Sequence, residues 1–386
     1  MPDGGALAGT LVVELGGMVS GPFCTRLLAD YGATVIKLEP PGGDPLRELG
    51  AADEAGAWFD GLNTNKLSVV ADLDTDDGRA VARAIVERAD VVVESLAPGE
   101  LDRRLDLTRP RLVVTSISPF GRTGPRSGCR GGDLTAAAAG GLAFITGDED
   151  REPLVPGGHQ IEHLAGLEAM AATLIALFHA RRTGEGQRID VSLQEVAAGT
   201  LECTVSTYEM TRAVRGRMGT RHPAVHGVGM QRLADGRWLF VGTLPQQRMW
   251  DTVKALMGDP EWARDGRWDD PHLRRRQADE VDALAAPVFA RLATDEIYPA
   301  MKSGRVPVGL VRDIADLHSP AGQLAARGYF TTLQDGDDRR AYPGPPWRMA
   351  PPWALRTRAP RLGEHDDEIS ELLGPATRRG EATIGR

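Results

Sequence analysis

Short apolar runs and amphipathic segments alternate along the first 200 residues of the chain. Apolar runs bounded by glycine or polar residues predict buried strands, and apolar residues spaced three or four positions apart predict helices. The predicted strands are 11–15, 34–38, 66–73, 91–94, 112–116 and 188–193, and the predicted helices are 23–31, 76–88, 99–106, part of 131–147 and 194–212. This alternation predicts an α/β fold with a doubly wound, mostly parallel sheet that binds ligands at the carboxyl ends of its strands.

The pattern changes beyond residue 200. Residues 214–230 are rich in glycine, arginine and histidine and show no periodicity, which is typical of a connector. Further along, a hairpin is predicted at 230–241, followed by helices at about 246–257, 277–293 and 295–302, and by a short helix at 367–373 in a proline- and arginine-rich tail. We therefore predict four parts, which are a large domain (1–200), a connector (201–224), a smaller α+β domain (225–315) and a final segment (316–386).

The segment 158–187 joins a polar head to the longest predicted helix. The head contains His159, Glu162 and His163, and Gly184 follows the helix as a stop signal. Glu162 is therefore predicted to lie near the positive end of a buried helix, where a carboxylate is favoured. It is either a helix cap or a functional group.

Composition limits the partners. The chain of 386 residues is 41% hydrophobic and carries a net charge of −9, which argues against nucleic acid or an anionic membrane as the main partner. Its three cysteines are widely spaced, which suits a reducing cytoplasm. The N-terminus lacks a basic region, and no unbroken apolar run is long enough for a membrane span, so none is expected.

Two kinds of site can be weighed from spacing alone. The glycine turn 16–22 followed by an acidic strand end at Glu39 resembles a dinucleotide site, but Pro22 removes an N–H where a pyrophosphate would bind. The head of segment 158–187 has the H-x-x-E-H spacing of a zinc site, with His159 and His163 as ligands. Both alternatives are disfavoured, and no metal is expected.

Five ordered segments carry a more specific signal. They are VVELGGMVSGPFCTRLLADYGATVIKLEPPGGD (12–44), LNTNKLSVVADLDTDDGR (62–79), ADVVVESLAPGELDR (89–103), GDLTAAAAGGLAFITG (132–147) and LIALFHARRTGEGQRIDVSLQE (174–195). Together they resemble the family III CoA-transferases, the family of formyl-CoA transferase, carnitine CoA-transferase and α-methylacyl-CoA racemase.

The resemblance implies an interlocked homodimer, in which each chain has a Rossmann-like large domain formed by both chain ends and a small domain between them. It also implies a carboxylate nucleophile that attacks an acyl-CoA, forms a mixed anhydride and then a CoA thioester, and passes CoA to a carboxylic acid. Counted back from Thr183 and matched at Gly166, this carboxylate is Glu162, where the family has aspartate. A CoA thioester is the implied substrate, with no permanently bound cofactor.

Two alternatives remain open within the resemblance. The racemase branch pairs the carboxylate with a histidine, but that histidine position is Gly132 here. His159 or His163 would have to replace it, and His163 is expected to point away from Glu162 because the two are adjacent on a helix. The other alternative is a CoA- or acyl-binding protein without turnover.

The resemblance further assigns CoA contacts. The implied CoA-binding residues are Met18, Val19, Ser20, Lys66, Ser95, Leu96, Arg103 and Arg130. Among them, Lys66, Arg103 and Arg130 are expected to face phosphate groups, because cations bind phosphates well. The implied catalytic residues are Glu162, His159 and His163.

Overall fold

The computed structural model describes residues 4–49, 56–221 and 227–373. Predictions for 222–226 in the connector and for 374–386 in the tail lie outside these residues. The chain forms two compact units, the first comprising Met1–Phe144, Leu154–Arg215 and Gly328–Arg386, and the second comprising Ile145–Pro153 and Gly216–Arg327. The chain thus enters the second unit twice, which composition along the sequence does not reveal.

A six-stranded parallel sheet is the centre of the first unit. Its strands are β1 (Leu11–Leu15), β2 (Thr34–Glu39), β3 (Lys66–Val70), β4 (Val91–Glu94), β5 (Val113–Ser118) and β6 (Arg188–Ser192). Their spatial order is β3-β2-β1-β4-β5-β6, with every neighbouring pair parallel. The predicted α/β class with a doubly wound parallel sheet is confirmed, and the strand order reverses direction at β1 and β4, where such sheets bind ligands.

The first unit contains a series of helices before residue 215. In chain order they are α1 (Ser20–Asp30), α2 (Ala57–Asn63), α3 (Asp76–Val86), α4 (Glu100–Arg104), α5 (Asp133–Ala139), α6 (Gln160–Thr183), α7 (Leu193–Gly199) and α8 (Glu202–Thr211). The single helix predicted at 194–212 is wrong, because α7 ends at Gly199 and α8 begins three residues later. The sequence analysis also missed α2.

Alternating side chains along the strands separate two layers of core. Val12 packs on the side of α1 and α6, whereas Val13 and Leu15 pack on the side of α3 and α4. Such alternation follows from the two-residue period of a strand. On the α1 side the alternation also buries charged residues of β1, β2 and β3, including Glu14 and Lys37, which pair directly in the parallel register.

The second unit is a smaller α+β assembly around its own apolar core. Its antiparallel sheet has the order β7 (Met230–Arg232), β8 (Trp238–Val241) and β9 (Val308–Leu310). Its helices are α9 (Gln247–Leu256), α10 (Glu261–Arg264), α11 (Pro271–Arg276), α12 (Ala278–Phe289), α13 (Thr294–Ser303), α14 (Ile314–Leu317) and α15 (Gln323–Ala326). The predicted β7–β8 hairpin is present, whereas β9 was not predicted.

The last described residues belong to the first unit. They form a hairpin of β10 (Phe330–Asp335) and β11 (Asp338–Pro343), followed by α16 (Asp366–Leu373). The backbone N–H of Val70 in β3 donates to Asp366, and Ile369 joins the core beside α3. Both ends of the described chain therefore stabilise one sheet.

Helix α6 also passes a length and composition test for a membrane span, which the sequence analysis did not expect. Its mean hydropathy over 18 residues is 1.5, but 50% of that window is buried inside the protein. Burial of this kind is ordinary for the core helix of a globular unit, so the match is weak.

Candidate active site

The first turn of α6 is capped by another helix. His159 lies at the N-cap with left-handed backbone angles (φ 52°, ψ 44°), and its side chain makes no capping hydrogen bond. Instead, the backbone N–H groups of Ile161 and Glu162 donate to Oδ1 of Asp133, at 2.9 and 3.1 Å. These two N–H groups lack partners within the helix. Because Asp133 caps α6, the carboxylate of Glu162 is available for another contact.

The Glu162 side chain is 9% exposed and points at His159. Its Oε2 lies 2.6 Å from Nδ1 of His159, within hydrogen-bonding distance. Its Oε1 faces Gly132, where an added Cβ would lie 3.9 Å away. One oxygen of the carboxylate is thus held by an imidazole, and the other faces a residue without a side chain.

The two histidines of segment 158–187 point in different directions. The His159 ring packs edge-on against Trp58 of α2, with ring centroids 4.8 Å apart. The His163 ring packs against Phe23 of α1 at 4.9 Å, and its Nδ1 lies 2.9 Å from the backbone oxygen of His159. The structure therefore does not bring together the ligand pair that the H-x-x-E-H spacing predicts.

A different trio lies close together. Potential ligand atoms of Asp133, His159 and Glu162 all lie within 4.8 Å of one another. Asp133 already accepts two backbone N–H groups, and the other two side chains bond each other. Oδ1 of Asp133, Nδ1 of His159 and Oε2 of Glu162 therefore already have hydrogen-bond partners within the protein.

A glycine in the middle of α6 sets the distance to α1. A Cβ on Gly166 would lie 2.6 Å from the backbone oxygen of Ser20, so only glycine permits this approach. Gly166 is one helical turn beyond Glu162, or roughly 6 Å along the axis. The start of α1 therefore packs against α6 one helical turn beyond Glu162.

Three loops at the carboxyl ends of the strands meet at this glycine turn. The backbone N–H of Met18 donates to Oδ1 of Asp44 in the loop after β2, at 3.3 Å. The Ser95 hydroxyl, in the loop after β4, donates to the backbone oxygen of Gly17 at 3.2 Å. The loops predicted to bind ligands are thus joined to each other, because β1 lies between β2 and β4.

The predicted CoA-binding residues differ in exposure. Met18 is exposed and has a left-handed φ of 62°, whereas Val19 and Ser20 are buried. Ser95 and Leu96 are half-buried, and the backbone N–H of Leu96 donates to Glu94. Arg103 on α4 and Arg130, three residues before Asp133, are both exposed.

Lys66 occupies a different environment from the one expected. It is only 1% exposed, and its Nζ donates to Glu14, to Asn63 Oδ1 and to the backbone oxygen of Pro22, each at 2.8 Å. Burial lowers the pKa of Lys66 to about 8, although the negative charge of Glu14 acts to raise it. We therefore correct the expectation that Lys66 faces a phosphate, because its ammonium is used within the protein.

Lys66 belongs to a buried charge network beneath the glycine turn. Glu14 accepts from Lys37 at 2.6 Å, from Lys66 and from the hydroxyl of Thr25, and Lys37 also pairs with Asp44 at 2.8 Å. Burial alone would raise the pKa of Glu14, but the two lysines hold it at about 2. Since Asp44 also accepts the N–H of Met18, the network fixes the conformation of the turn.

The dinucleotide alternative does not fit the position of Glu39. This carboxylate is 1% exposed and bonds the Arg47 guanidinium and the Ser68 hydroxyl, at 2.7–2.8 Å. A ribose hydroxyl therefore finds no accessible oxygen at Glu39. Burial would raise the pKa of Glu39, but the hydrogen bonds from Arg47 and its charge, with that of Lys37, lower it.

Sequence reasoning did not identify Asp133, Trp58 or Asp44 as parts of the site. Asp133 directly follows Gly132 in one of the five segments, so a signal was present there. Trp58 lies in a helix that was not predicted, and Asp44 lies 26 residues from the turn that it holds. Only the folded chain relates these positions to Glu162 and Met18.

Comparison with known proteins gives a consistent result. The sequence model described as CoA-transferase family III matches residues 7–366. The succinyl-CoA–D-citramalate CoA-transferase of Chloroflexus aurantiacus is 33% identical over 375 residues, covering 94% of this chain and 93% of the relative. The succinate–glutarate CoA-transferase of Agrobacterium fabrum is 31% identical over 382 residues, covering 94% of each chain.

A solved structure has the same fold throughout. A CAIB/BAIF family protein from Brucella suis superposes with a TM-score of 0.89 at 30% sequence identity, covering 96% of this chain and 100% of that chain. The similarity in sequence and in fold extends over both units.

Proposed function

The chain belongs to CoA-transferase family III and transfers CoA from an acyl-CoA to a carboxylic acid, and we propose that Glu162 is the nucleophile of this reaction. One observation carries the proposal. Glu162 is a buried carboxylate with one oxygen bonded to His159 and the other facing Gly132, while Asp133 takes the capping role that would otherwise explain it. Burying a carboxylate is costly unless it is paired, and the pairing with His159 is through one oxygen, Oε2.

The proposed reaction begins with attack of Glu162 Oε1 on the thioester carbon of the donor. The C–S bond breaks, CoA leaves as the thiolate, and a mixed anhydride forms between the donor acid and the enzyme. The thiolate then attacks the glutamyl carbon of this anhydride, which releases the donor as a carboxylate and leaves a glutamyl-CoA thioester.

The second half of the reaction repeats these steps in reverse. A carboxylate oxygen of the acceptor attacks the glutamyl carbon and expels the thiolate, forming a second mixed anhydride. The thiolate attacks the acceptor carbonyl, so the acceptor leaves as its CoA thioester and Glu162 is regenerated. No net oxidant, reductant or proton is required.

His159 has a positioning role in this proposal. Its ring, packed against Trp58, fixes the orientation of the Glu162 carboxylate through the 2.6 Å contact at Oε2. Holding one oxygen leaves the other as the attacking atom, and such orientation reduces the activation barrier. His163 packs against Phe23 and contributes to the placement of α6 on α1.

For CoA, we propose a site at the glycine turn 16–20 and the loop at Ser95 and Leu96. The turn is held by Asp44 and leads into the start of α1, which packs on α6 one helical turn from Glu162, so we expect a thioester bound along the turn to approach the carboxylate. Arg103 and Arg130 are exposed and remain proposed phosphate contacts.

We further propose that the substrates include dicarboxylic acids. The succinyl-CoA–L-malate, succinate–glutarate, succinyl-CoA:(R)-benzylsuccinate and succinyl-CoA:mesaconate CoA-transferases are relatives that the chain matches over most of its length. Succinyl-CoA as donor and a small dicarboxylate as acceptor are therefore the first pair to assay. As an enzyme of this type the chain is proposed to work in the cytoplasm.

An interlocked homodimer is also proposed. All ten residues of α8 are at least partly exposed, and α6 carries Ile175 and Phe178 at 71% and 63% exposure. Apolar side chains on helices are normally covered. A second copy of the chain is the occupant that the family resemblance implies for these faces.

Trapping tests the proposal. The enzyme is incubated with succinyl-CoA, treated with hydroxylamine, digested and analysed by mass spectrometry. A hydroxamate on Glu162, absent in Glu162→Gln, is expected. Turnover without any adduct at Glu162 contradicts the proposal. Exchange of the α-proton in deuterium oxide without an acceptor acid would instead favour the racemase alternative, for which Gly132 supplies no histidine.

A further inference from the structure

Helix α6 depends on Asp133 for the position of its first turn. The N-cap residue His159 is left-handed and uses its imidazole to bond Glu162, so it cannot also cap the helix. The cap comes from α5, 26 residues earlier in the chain than His159. We propose that Asp133 is a positioning residue for catalysis, which sets the location of the Glu162 nucleophile by holding its backbone; this inference rests on the proposed function of Glu162.

The two hydrogen bonds act directly on the nucleophile. Oδ1 of Asp133 accepts the N–H of Glu162 itself at 3.1 Å and that of Ile161 at 2.9 Å. Two bonds from consecutive residues to one oxygen restrict both translation and rotation of the turn. Since Glu162 Oε2 is also fixed at His159, the residue is held at its backbone and at its carboxylate.

Asp133 is itself rigidly placed. The Thr135 hydroxyl donates to the backbone oxygen of Gly132 at 2.9 Å and accepts the N–H of Gly132 at 2.9 Å. A Cβ on Gly131 would lie 2.3 Å from that hydroxyl oxygen, so glycine is required there. The Thr135 side chain of α5 thereby closes the turn that precedes this helix. The turn fixes the position of Asp133, and Asp133 in turn fixes the position of the first turn of α6.

Adjacent residues of this turn have complementary roles. Gly132 provides clearance, because even an added Cβ would lie 3.9 Å from Glu162 Oε1. Asp133 provides the anchor through its two accepted hydrogen bonds. One residue thus leaves room for the Glu162 carboxylate while the next holds the Glu162 backbone.

The role of the acceptor can be separated from the role of the charge. Asn in place of Asp133 keeps an oxygen that can accept both N–H groups but removes the negative charge. Ala removes the oxygen as well and leaves two backbone N–H groups of α6 without their acceptor. A charged cap also interacts favourably with the helix dipole. A positioning role therefore predicts that Asp133→Asn and Asp133→Ala behave differently.

The experiment compares these two variants in steady-state CoA transfer and in hydroxylamine trapping. In Asp133→Ala we expect kcat and the rate of adduct formation at Glu162 to fall by roughly 10²-fold, the cost of about 1 Å of misplacement, with little change in KM for succinyl-CoA. In Asp133→Asn most of both rates is retained. Thr75→Ala removes the cap of α3 in the same unit, where Thr75 Oγ1 accepts the N–H of Gly78 at 3.1 Å, and is expected to lower stability without lowering kcat.

The outcomes distinguish this inference from the one on which it rests. Failure to find an adduct at Glu162 in the wild-type enzyme overturns the proposed nucleophile. An adduct that forms in Asp133→Ala at the wild-type rate overturns the positioning role alone. Equal loss in Asp133→Asn and Asp133→Ala, with both variants folded by circular dichroism, overturns it too, because the charge rather than the acceptor would then be responsible.

Discussion

Replacing Glu162 by aspartate tests whether this site is built for glutamate. Oε2 lies 2.6 Å from Nδ1 of His159. Loss of one methylene withdraws the carboxylate by roughly 1.3 Å, which lengthens this contact beyond hydrogen-bonding distance. A displacement of about 1 Å costs roughly 10²-fold in rate, which corresponds to about 2.7 kcal/mol of transition-state stabilisation. We therefore expect Glu162→Asp to lose about that factor in kcat, with little change in KM for the acyl-CoA.

The assay is transfer of CoA from succinyl-CoA to glutarate, followed by liquid chromatography of the thioesters. Glu162→Gln keeps the length and a hydrogen bond to His159 but removes the nucleophile, so its activity should fall below that of Glu162→Asp. Glu168→Asp makes the same change at an exposed position of α6 and should leave activity unchanged. If Glu162→Asp equals or exceeds the wild type, the argument that the pocket fits the longer side chain is refuted.

Three further changes test other parts of the structure. Gly132→Val places branched methyl groups in front of Glu162 Oε1, the proposed attacking atom, and should lower kcat at least tenfold, which corresponds to about 1.4 kcal/mol. Gly132→Ala should remain active because its Cβ would lie 3.9 Å from that oxygen. Equal activity of the two variants would contradict the argument that Gly132 provides clearance. The free energy of unfolding should fall by about 3 kcal/mol from Glu14 alone as the pH drops from 4.5 to 2. In the folded chain Lys37 and Lys66 hold the pKa of Glu14 at about 2 although burial acts to raise it, so the unfolded chain binds the proton at a higher pH than the folded chain. Glu14→Gln should flatten that slope in denaturant titrations at each pH and cost about 3–5 kcal/mol at neutral pH; an unchanged acid slope would exclude Glu14 as its source. Ile175→Glu, on the exposed face of α6, should convert a dimer to monomer in light scattering, and an unaltered mass would contradict the proposed interface.

The elements of the large sheet were predictable because their pattern is local. Apolar runs such as 91–93 are typical of strands buried on both faces of a parallel sheet, and β4 is buried along its whole length. The hairpin β10–β11 was missed although Asp335-Gly336 is a turn signal, since the polar, mostly exposed strands beside it lack an apolar run. The split between α7 and α8 was missed because helical spacing continues across Gly199.

The site was only partly predictable for a different reason. Glu162 and its two histidines lie within five residues of a distinctive segment, so the sequence identifies them together. The direction of each histidine depends on Trp58 and Phe23, which come from other helices. Lys66 was assigned to a phosphate because its sequence position matches, but its neighbours on β1 and α1 bury it.

The α/β class, the family resemblance and the carboxylate at the start of α6 could all be read from the amino-acid sequence, because periodicity, turn residues and motif spacing act over short stretches of chain. The contacts of that carboxylate depend on the fold. Whether Glu162 caps its own helix or stands free depends on an oxygen of Asp133, which lies 29 residues away in sequence. Such a contact arises from the packing of α5 against α6, and packing is a property of the folded chain.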